Sequence, residues 1–373
     1  GYIKLISPIN WSVIDVFELE ETDITTSLSI LKLNVVDSAS GTRGLSKDFI
    51  GVGTGSHRTE DASTTGSWKI FDIISVVPEV DRPEANHKLK LVTSETSKGP
   101  AISICDVSGR FSVVQGQRLF VRQLEGDDTV SPVAFTDTAL YSREVKSFEN
   151  LMLIADSYSS VSLHGFDAEP YRMLKLGNDS LEVNVSAADF IVHDLNLFIL
   201  IADESGILHL LHYDPEDPNS LQGSKLLRRA VFRNNKHTTH MMCISRQDSL
   251  FSLGKTIFQG KSGGVDSVGY EVIGSTDDGA LYRVTPISEN IYRRLYSVQQ
   301  QIYDKETHYC GLNPRMNTIG DMSSIMPVIS RPILDFDTMR KFINLNESRK
   351  RNIALKTGRN SYPEIYRDFI AYA

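Results

Sequence analysis

Apolar and polar residues alternate from the first residues of the chain, the period-two pattern of half-buried strands. Residues 2–19 hold two such segments, YIKLI and WSVIDVFEL, joined by a turn at Ser7-Pro8-Ile9-Asn10. The pattern is clearest at residues 150–173, NLMLIADSYSSVSLHGFDAEPYRM: an apolar strand, a small polar turn, a second strand and a polar exit. It returns at 196–218 (NLFILIADESGILHLLHYDPEDP) and at 270–287 (YEVIGSTDDGALYRVTPI). One hairpin unit is written several times, and strand repeats of about 40–50 residues are the mark of β-propeller blades. The small residues Gly116, Ala155, Ala202 and Gly274 mark the repeat.

Further strands are expected at residues 24–33, 49–52 and 67–77, the last as an outer strand. Two prolines make 78–86 an inter-blade loop. Residues 89–92, 102–107, 110–114 and 118–124 form the next four-strand set, with Gly109 and Gly116 at its turns, followed by a strand at 130–135. Asp278-Gly279 is a strong hairpin signal, because the tight turn needs positive φ. Glycine-rich loops fall at 37–44, 55–66 and 254–269. Five or so units are legible, fewer than a closed ring usually needs, so the ring is read as partial.

After Pro286 the period changes to 3.6. Ser288 caps a helix with the stripe Ile291, Leu295, Val298, Ile302, which Gly311 can end. An irregular bridge spans 311–332. Asp335 caps a short helix that turns Phe336, Met339, Phe342 and Ile343 inward. Another helix runs from 346 to about 358, and Ser361 with Glu364 forms a capping box for the last, with Ile365 and Phe369 inward. The fold class is mainly β: propeller blades over residues 1–286, then a small α-helical C-terminal domain over 287–373.

Composition changes the picture little, but charge distribution does. The chain carries 39 Lys+Arg against 47 Asp+Glu. Residues 287–373 hold 13 basic and 9 acidic residues, so by difference the blades carry a net charge of −12. An acidic body is a poor non-specific nucleic-acid binder, since phosphate contacts supply most of that affinity. No apolar run has membrane-spanning length. Three scattered cysteines (Cys105, Cys243, Cys310) suggest neither disulfides nor a zinc site, and reduced thiols fit a nuclear or cytosolic protein. The sequence starts at Gly1 in mid-pattern and stops without a helix-end signal, so it reads as a segment of a longer protein.

Candidate chemistry is sparse. Gly254-Lys255-Thr256 and Gly260-Lys261-Ser262 lack the earlier glycine of a phosphate loop and lead into no helix. Gly51-x-Gly53-x-Gly55 reads as a strand-end turn, not a dinucleotide loop. His209 and His212 stand three apart on a strand, hence on opposite faces, and cannot share an ion. Asp156, Asp203 and Asp277 recur after the apolar strands, where short acids cap turns by accepting backbone N–H groups. No catalytic grouping, cofactor or metal site can be assembled from the spacing, so the reading is non-enzymatic. Residues 219–247 hold six basics and no acid: Lys225, Arg228, Arg229, Arg233, Lys236 and Arg246. That is the best RNA or partner contact in the blades. Arg293 and Arg294, and Arg349-Lys350-Arg351 with Lys356 and Arg359, form the basic face of the helices.

Several strings carry a family resemblance. Phe166-Asp-Ala-Glu-Pro-Tyr-Arg-Met173, Tyr213-Asp-Pro-Glu-Asp-Pro-Asn-Ser-Leu221, Tyr292-Arg-Arg-Leu-Tyr-Ser-Val-Gln-Gln-Gln-Ile302 and Gly311-Leu-Asn-Pro-Arg-Met316 are among them. So are Arg82-Pro-Glu-Ala-Asn-His87 and Lys146-Ser-Phe-Glu-Asn-Leu151. All are similar to the C-terminal third of the largest subunit of the cleavage and polyadenylation specificity factor. The resemblance spreads over about residues 70–360, whereas 37–66 and 254–269 match poorly. It implies the third of three propellers and a helical domain, in a non-catalytic nuclear scaffold for pre-mRNA cleavage and polyadenylation. The implied partners are a WD-repeat subunit, a zinc-finger subunit, the endonuclease module and, mainly through these, pre-mRNA bearing an AAUAAA-type signal. Alternatives are a direct RNA-binding module, or an adaptor like the related damaged-DNA-binding and splicing factor 3b subunits.

Overall fold

Alternating side chains point to opposite faces of a strand, and the computed structural model realises the pattern, among the described residues, as antiparallel meanders of the propeller-blade kind: five sheets of three or four strands and one opening hairpin. It describes residues 1–36, 43–56, 64–78, 85–126, 128–193, 196–245, 270–317, 333–358 and 361–372. The expected loop at 254–269 lies outside them, as do most of 37–44 and 57–63 and the bridge from 318 to 332. The chain divides into two compact units, Gly1–Val185 and Ser186–Ala373.

The first unit opens with a hairpin, β1 (Tyr2–Ile6) and β2 (Val13–Glu18). A four-stranded sheet follows: β3 (Asp23–Val36), β4 (Arg43–Ser56), β5 (Thr65–Ser75) and β6 (His87–Ser97). The next is β7 (Ala101–Val107), β8 (Arg110–Gln115), β9 (Arg118–Leu124) and β10 (Val130–Asp137). The last is β11 (Ser142–Phe148), β12 (Leu151–Asp156), β13 (Ser160–Ala168) and β14 (Tyr171–Asn178).

These sheets stack face to face. Leu31, Leu33, Phe49, Trp68 and Ile70 of the first pack on Ala101, Ile104, Phe111, Val113 and Leu124 of the second. The second sheet's other face, with Val107, Val114 and Val121, meets Val145, Met152, Ile154 and Phe166 of the third. Each such side chain stabilises by about 1.5–3 kcal/mol when removed from water. Polar ties cross the same seams. Arg122 pairs with Glu95 at 2.5 Å and lies 5.1 Å over the Trp68 ring. Arg110 lies over Phe166 and Tyr171, its carbon 5.6 and 5.0 Å from the ring centroids. Ser103 Oγ accepts from the Val145 N–H at 3.0 Å. Close approach is needed at Gly53, where a Cβ would come within 2.2 Å of the Ala101 carbonyl oxygen.

Strand pairing corrects three expectations. Residues 89–92 belong to β6 and close the first sheet, so the second begins at β7 and takes its fourth strand from 130–137. Residues 65–75 form β5, a third strand flanked by β4 and β6, not the outer one. The segment around 78–86 therefore joins β5 to β6 inside one blade, with Ser75 opposite His87. Pro-rich composition marks a loop but not which strands it joins.

In the second unit, β15 (Val185–His193), β16 (Asn196–Asp203), β17 (Ile207–Tyr213) and β18 (Leu227–Arg233) form one sheet. Another comprises β19 (Thr238–Ser245), β20 (Tyr270–Thr276) and β21 (Leu281–Val284). Ala187, Ile191, Leu200, Ala202 and Leu208 pack on Met241 and Val272. Asp189 Oδ2 accepts the Cys243 N–H at 2.7 Å. Gly274 is small because Tyr282 lies across it: a Cβ would stand 2.2 Å from the ring.

Among the described residues four α-helices follow. They are α1 (Glu289–Lys305), α2 (Phe336–Met339), α3 (Glu347–Lys356) and α4 (Pro363–Tyr372). Leu295, Val298, Ile302, Met339, Phe342, Ile353, Ile365 and Phe369 share one core. Ser288 stands at the N-cap of α1 without a side-chain cap bond. The helix ends at Lys305, not near Gly311. Glu306 N–H bonds the Ile302 carbonyl, and His308 Nε2 lies 3.1 Å from the Tyr303 carbonyl oxygen. Asp335 caps α2 as expected, accepting from the N–H groups of Asp337 and Thr338. Ile343 points outward instead of inward, because residues 340–344 tighten to a 3-10 helix. At three residues per turn 336, 339 and 342 align and 343 rotates away.

His164 carries a testable consequence. It is buried on β13 opposite Lys175, and burial, then the lysine, pushes its imidazole from 6.5 down to about 4. Between those values the unfolded chain binds a proton that the native state refuses, so stability is complete above pH 6.5 and falls as pH drops toward 4. The loss is roughly 2–3 kcal/mol. Thermal melts at pH 7 and pH 4.5 should show a smaller pH effect for His164→Gln than for the parent. An equal effect in both proteins rules the histidine out.

Candidate functional site

The basic segment 225–236 folds as a bridge residue, strand β18 and a turn, and acids from elsewhere reach two of its basic residues, Arg229 and Lys236. Arg229 Nη2 lies 3.1 Å from Asp217 and 3.7 Å from Asp214. The same guanidinium donates to His212 Nδ1, whose ring stacks on Phe198 at 4.5 Å. Burial and then Arg229 push the His212 imidazole below its ordinary value. Asp217, held low first by the Asn219 N–H and also by Arg229, caps the short turn at Pro218–Ser220. Arg228 meets His209 Nδ1, and His209 Nε2 faces Asp203 at 3.3 Å. Lys236 pairs with Asp278 at 2.7 Å. Among the described residues, the exposed Lys225 and half-buried Arg233 enter no ion pair. Arg246 lies outside those residues.

The helical basics behave alike. Arg293 pairs with Glu289 one turn earlier at 2.7 Å. Arg294 clamps Asp368 of α4 with two bonds of 2.9 and 3.0 Å, and this contact raises the guanidinium's pKa. Arg349 reaches Glu306, the residue that follows α1, at 3.2 Å, while Arg351 pairs with Glu347 at 2.6 Å. Lys350 donates to the Ile343 carbonyl at 2.7 Å and lies over Tyr366. The predicted basic residues are thus not gathered into one site. Most stitch strands or helices of their own unit. The acids that engage them, Asp214, Asp217, Asp278, Glu306 and Asp368, were missed; in the sequence only the 213–217 acids stood close to the basic run.

The turn acids do what their size suggests. Asp156 accepts from the N–H groups of Tyr158 and Ser159 at 2.9 and 3.0 Å, and Asp203 from that of Ile207 at 2.8 Å. In the third repeat the turn-capping acid is Asp278, not Asp277: its carboxylate takes the Ala280 N–H and the Thr276 hydroxyl. In the first unit a cleft of about 600 Å³ opens between the turns after β7 and β11, lined by Asp106, Ser108, Ser147, Phe148, Glu149 and Asn150. Burial raises the Asp106 carboxyl there. The described residues hold no group of three or more metal-ligating side chains, and none of their helices is long and apolar enough to cross a membrane. The glycine–lysine stretches at 254–262 lie outside the described residues.

Comparison with known proteins places this geometry. A family model described as "CPSF A subunit region" matches residues 1–344. Protein CFT1 of Debaryomyces hansenii is 46% identical over 374 residues, which is all of this chain and 27% of that protein. Protein CFT1 of Candida albicans is 42% identical, covering all of this chain and 28% of its own length. That of Saccharomyces cerevisiae is 35% identical over 99% of the chain and 26% of the relative. The chain thus spans 26–28% of the length of these curated relatives.

Two measurements probe the geometry. Arg294→Ala and Asp368→Ala should each lower thermal stability by about 1 kcal/mol, and the double variant by no more than the larger single loss. Strict additivity would mean the clamp carries no coupling. Burial pushes the Cys105 thiol up to about 11, whereas Cys310 is exposed. Iodoacetamide at pH 8 should therefore label Cys310 rapidly and Cys105 only after unfolding.

Proposed function

This chain belongs to the family of the CPSF A subunit region, and from that premise we propose that it serves a non-catalytic scaffold of the nuclear machinery that cleaves and polyadenylates pre-mRNA. The carrying observation is the similarity to CFT1 proteins along the whole chain. In this reading residues 1–286 are a propeller domain and 287–373 a helical domain. Together they hold a WD-repeat subunit and a zinc-finger subunit that read an AAUAAA-type signal, and help tether the endonuclease module. Pre-mRNA is met mainly through those partners.

Electrostatics supports scaffolding over direct RNA binding. Phosphate affinity needs basic side chains that exchange counterions for nucleic acid, and Arg229, Lys236, Arg294 and Arg349 already face carboxylates of this chain. Lys225 and Arg233 are the residues left for RNA if the scaffold reading fails.

The test is a pull-down of the full-length protein with the WD-repeat and zinc-finger subunits, with and without residues 287–373. Deletion should lose the partners. In parallel, an AAUAAA-containing RNA at ~0.15 M salt should bind the full-length protein alone no better than a scrambled RNA does. Retained partners together with tight, steeply salt-dependent binding abolished by Lys225→Glu and Arg233→Glu would replace scaffolding with RNA recognition. Capture of a cullin-type or splicing subunit instead would point to the adaptor alternative.

A further inference from the structure

Two chemistries meet in the cleft of about 600 Å³ between the turns after β7 and β11. Asp106, Ser147 and Phe148 are its half-buried floor, whereas Ser108, Glu149 and Asn150 are its exposed rim. The two turns are held in one frame. Ser108 donates its N–H to the Glu149 carbonyl at 3.3 Å, and its hydroxyl to the same oxygen at 3.5 Å. Both residues hold left-handed backbone, with φ of 48° and 55°. That conformation costs a non-glycine residue energy and persists only where its surroundings fix it.

The carboxylates of this cleft differ from those elsewhere in the chain. Asp23, Asp72, Glu95 and Asp368 each face a lysine or an arginine. Among the described residues no cation comes within ion-pair distance of Asp106 or Glu149. Burial raises the Asp106 carboxyl; its own N–H and that of Lys32 oppose the shift, as does the Lys32 ammonium, and Asp48 adds to it. A carboxyl so placed is stabilised in its ionised form by a cation brought beside it. The ring of Phe148 stands in the same floor, and a guanidinium can lie flat on a ring while its edge forks onto a carboxylate. An ammonium supplies the charge without the fork or the flat face.

We propose that this cleft receives an arginine side chain carried on an extended segment of a protein partner. The guanidinium enters between the two turns, donates to Asp106 at the floor and lies along Phe148. Its segment crosses the exposed rim, where Glu149 adds a second opposite charge and the Asn150 amide is placed to bond the main chain. A volume of about 600 Å³ holds the side chain together with the main chain on either side of it. The charge complementarity assigns the occupant: two carboxylates and a ring at one end of a side-chain-sized slot suit arginine better than any neutral residue. This inference does not rest on the role in polyadenylation. It needs only the geometry of the first unit, and its test uses no other subunit, so the two readings fail separately.

The probe is a fluorescein-labelled peptide, Gly-Ser-Arg-Gly-Arg-Ser-Gly, titrated by anisotropy onto the full-length protein at ~0.15 M salt. Versions with lysine or with neutral citrulline in place of arginine are titrated beside it. The arginine peptide should saturate with a Kd below ~1 mM, the lysine peptide should bind measurably more weakly, and the citrulline peptide should not bind. Asp106→Asn should weaken the arginine peptide about tenfold. Glu149→Gln, on the exposed rim where folding does not depend on it, should weaken it in the same direction. Asp337→Asn, an exposed acid of α2 outside the cleft, should leave it unchanged. No saturation, equal affinity for the lysine peptide, parent-like binding by either cleft variant, or an equal loss for Asp337→Asn each overturns the proposal.

Discussion

The fold depends on one constraint: a sheet that is apolar on both faces can be stable only between two neighbours. The β7–β10 sheet shows it fully, with Ile104, Phe111 and Val113 turned one way and Val107, Val114 and Val121 the other. Alternation then no longer separates core from solvent, and the strands read as nearly continuous apolar runs. The seams that result are apolar in the middle and tied by cations at their margins. Arg122 covers Trp68 while reaching Glu95, and Arg110 covers Phe166 and Tyr171. A guanidinium suits this place because its flat face stacks on a ring while its edge donates hydrogen bonds.

The same economy of contacts governs the buried charges. Lys69 and Asp23 lie inside the first sheet, 3.4 Å apart, with Ser67, Thr54 and Ser56 filling the remaining hydrogen-bond sites. An ion pair so placed gains little net stability, since desolvation opposes the attraction. What it does is join β3, β4 and β5 in one register. Arg229 with Asp217 and Arg294 with Asp368 do comparable work in the second unit. Within the basic run, Arg229 and Lys236 thus act on acids of this chain.

Element type was legible because it is local. Alternation marked the strands around 151–166, 196–213 and 270–284, Asp278-Gly279 marked its turn, and the Leu295-Val298-Ile302 stripe marked α1. The family strings were legible too, since they need only residue identity. Blade boundaries were not: residues 89–92 look the same whether they end one sheet or begin the next. Ile343 failed for a similar reason, as a tightened turn is decided by packing around Phe342.

By itself the sequence determined strands followed by helices, the change of period after Pro286 and the kinship that follows from long matching strings. Only the tertiary structure decided which strands share a sheet, which acids engage Arg229, Lys236 and Arg294, that Arg228 meets His209, and that Asp278 rather than Asp277 closes its turn. Periodicity is written in neighbouring residues, whereas pairing joins residues such as Arg294 and Asp368 that are far apart along the chain. Their meeting is set by how whole elements pack.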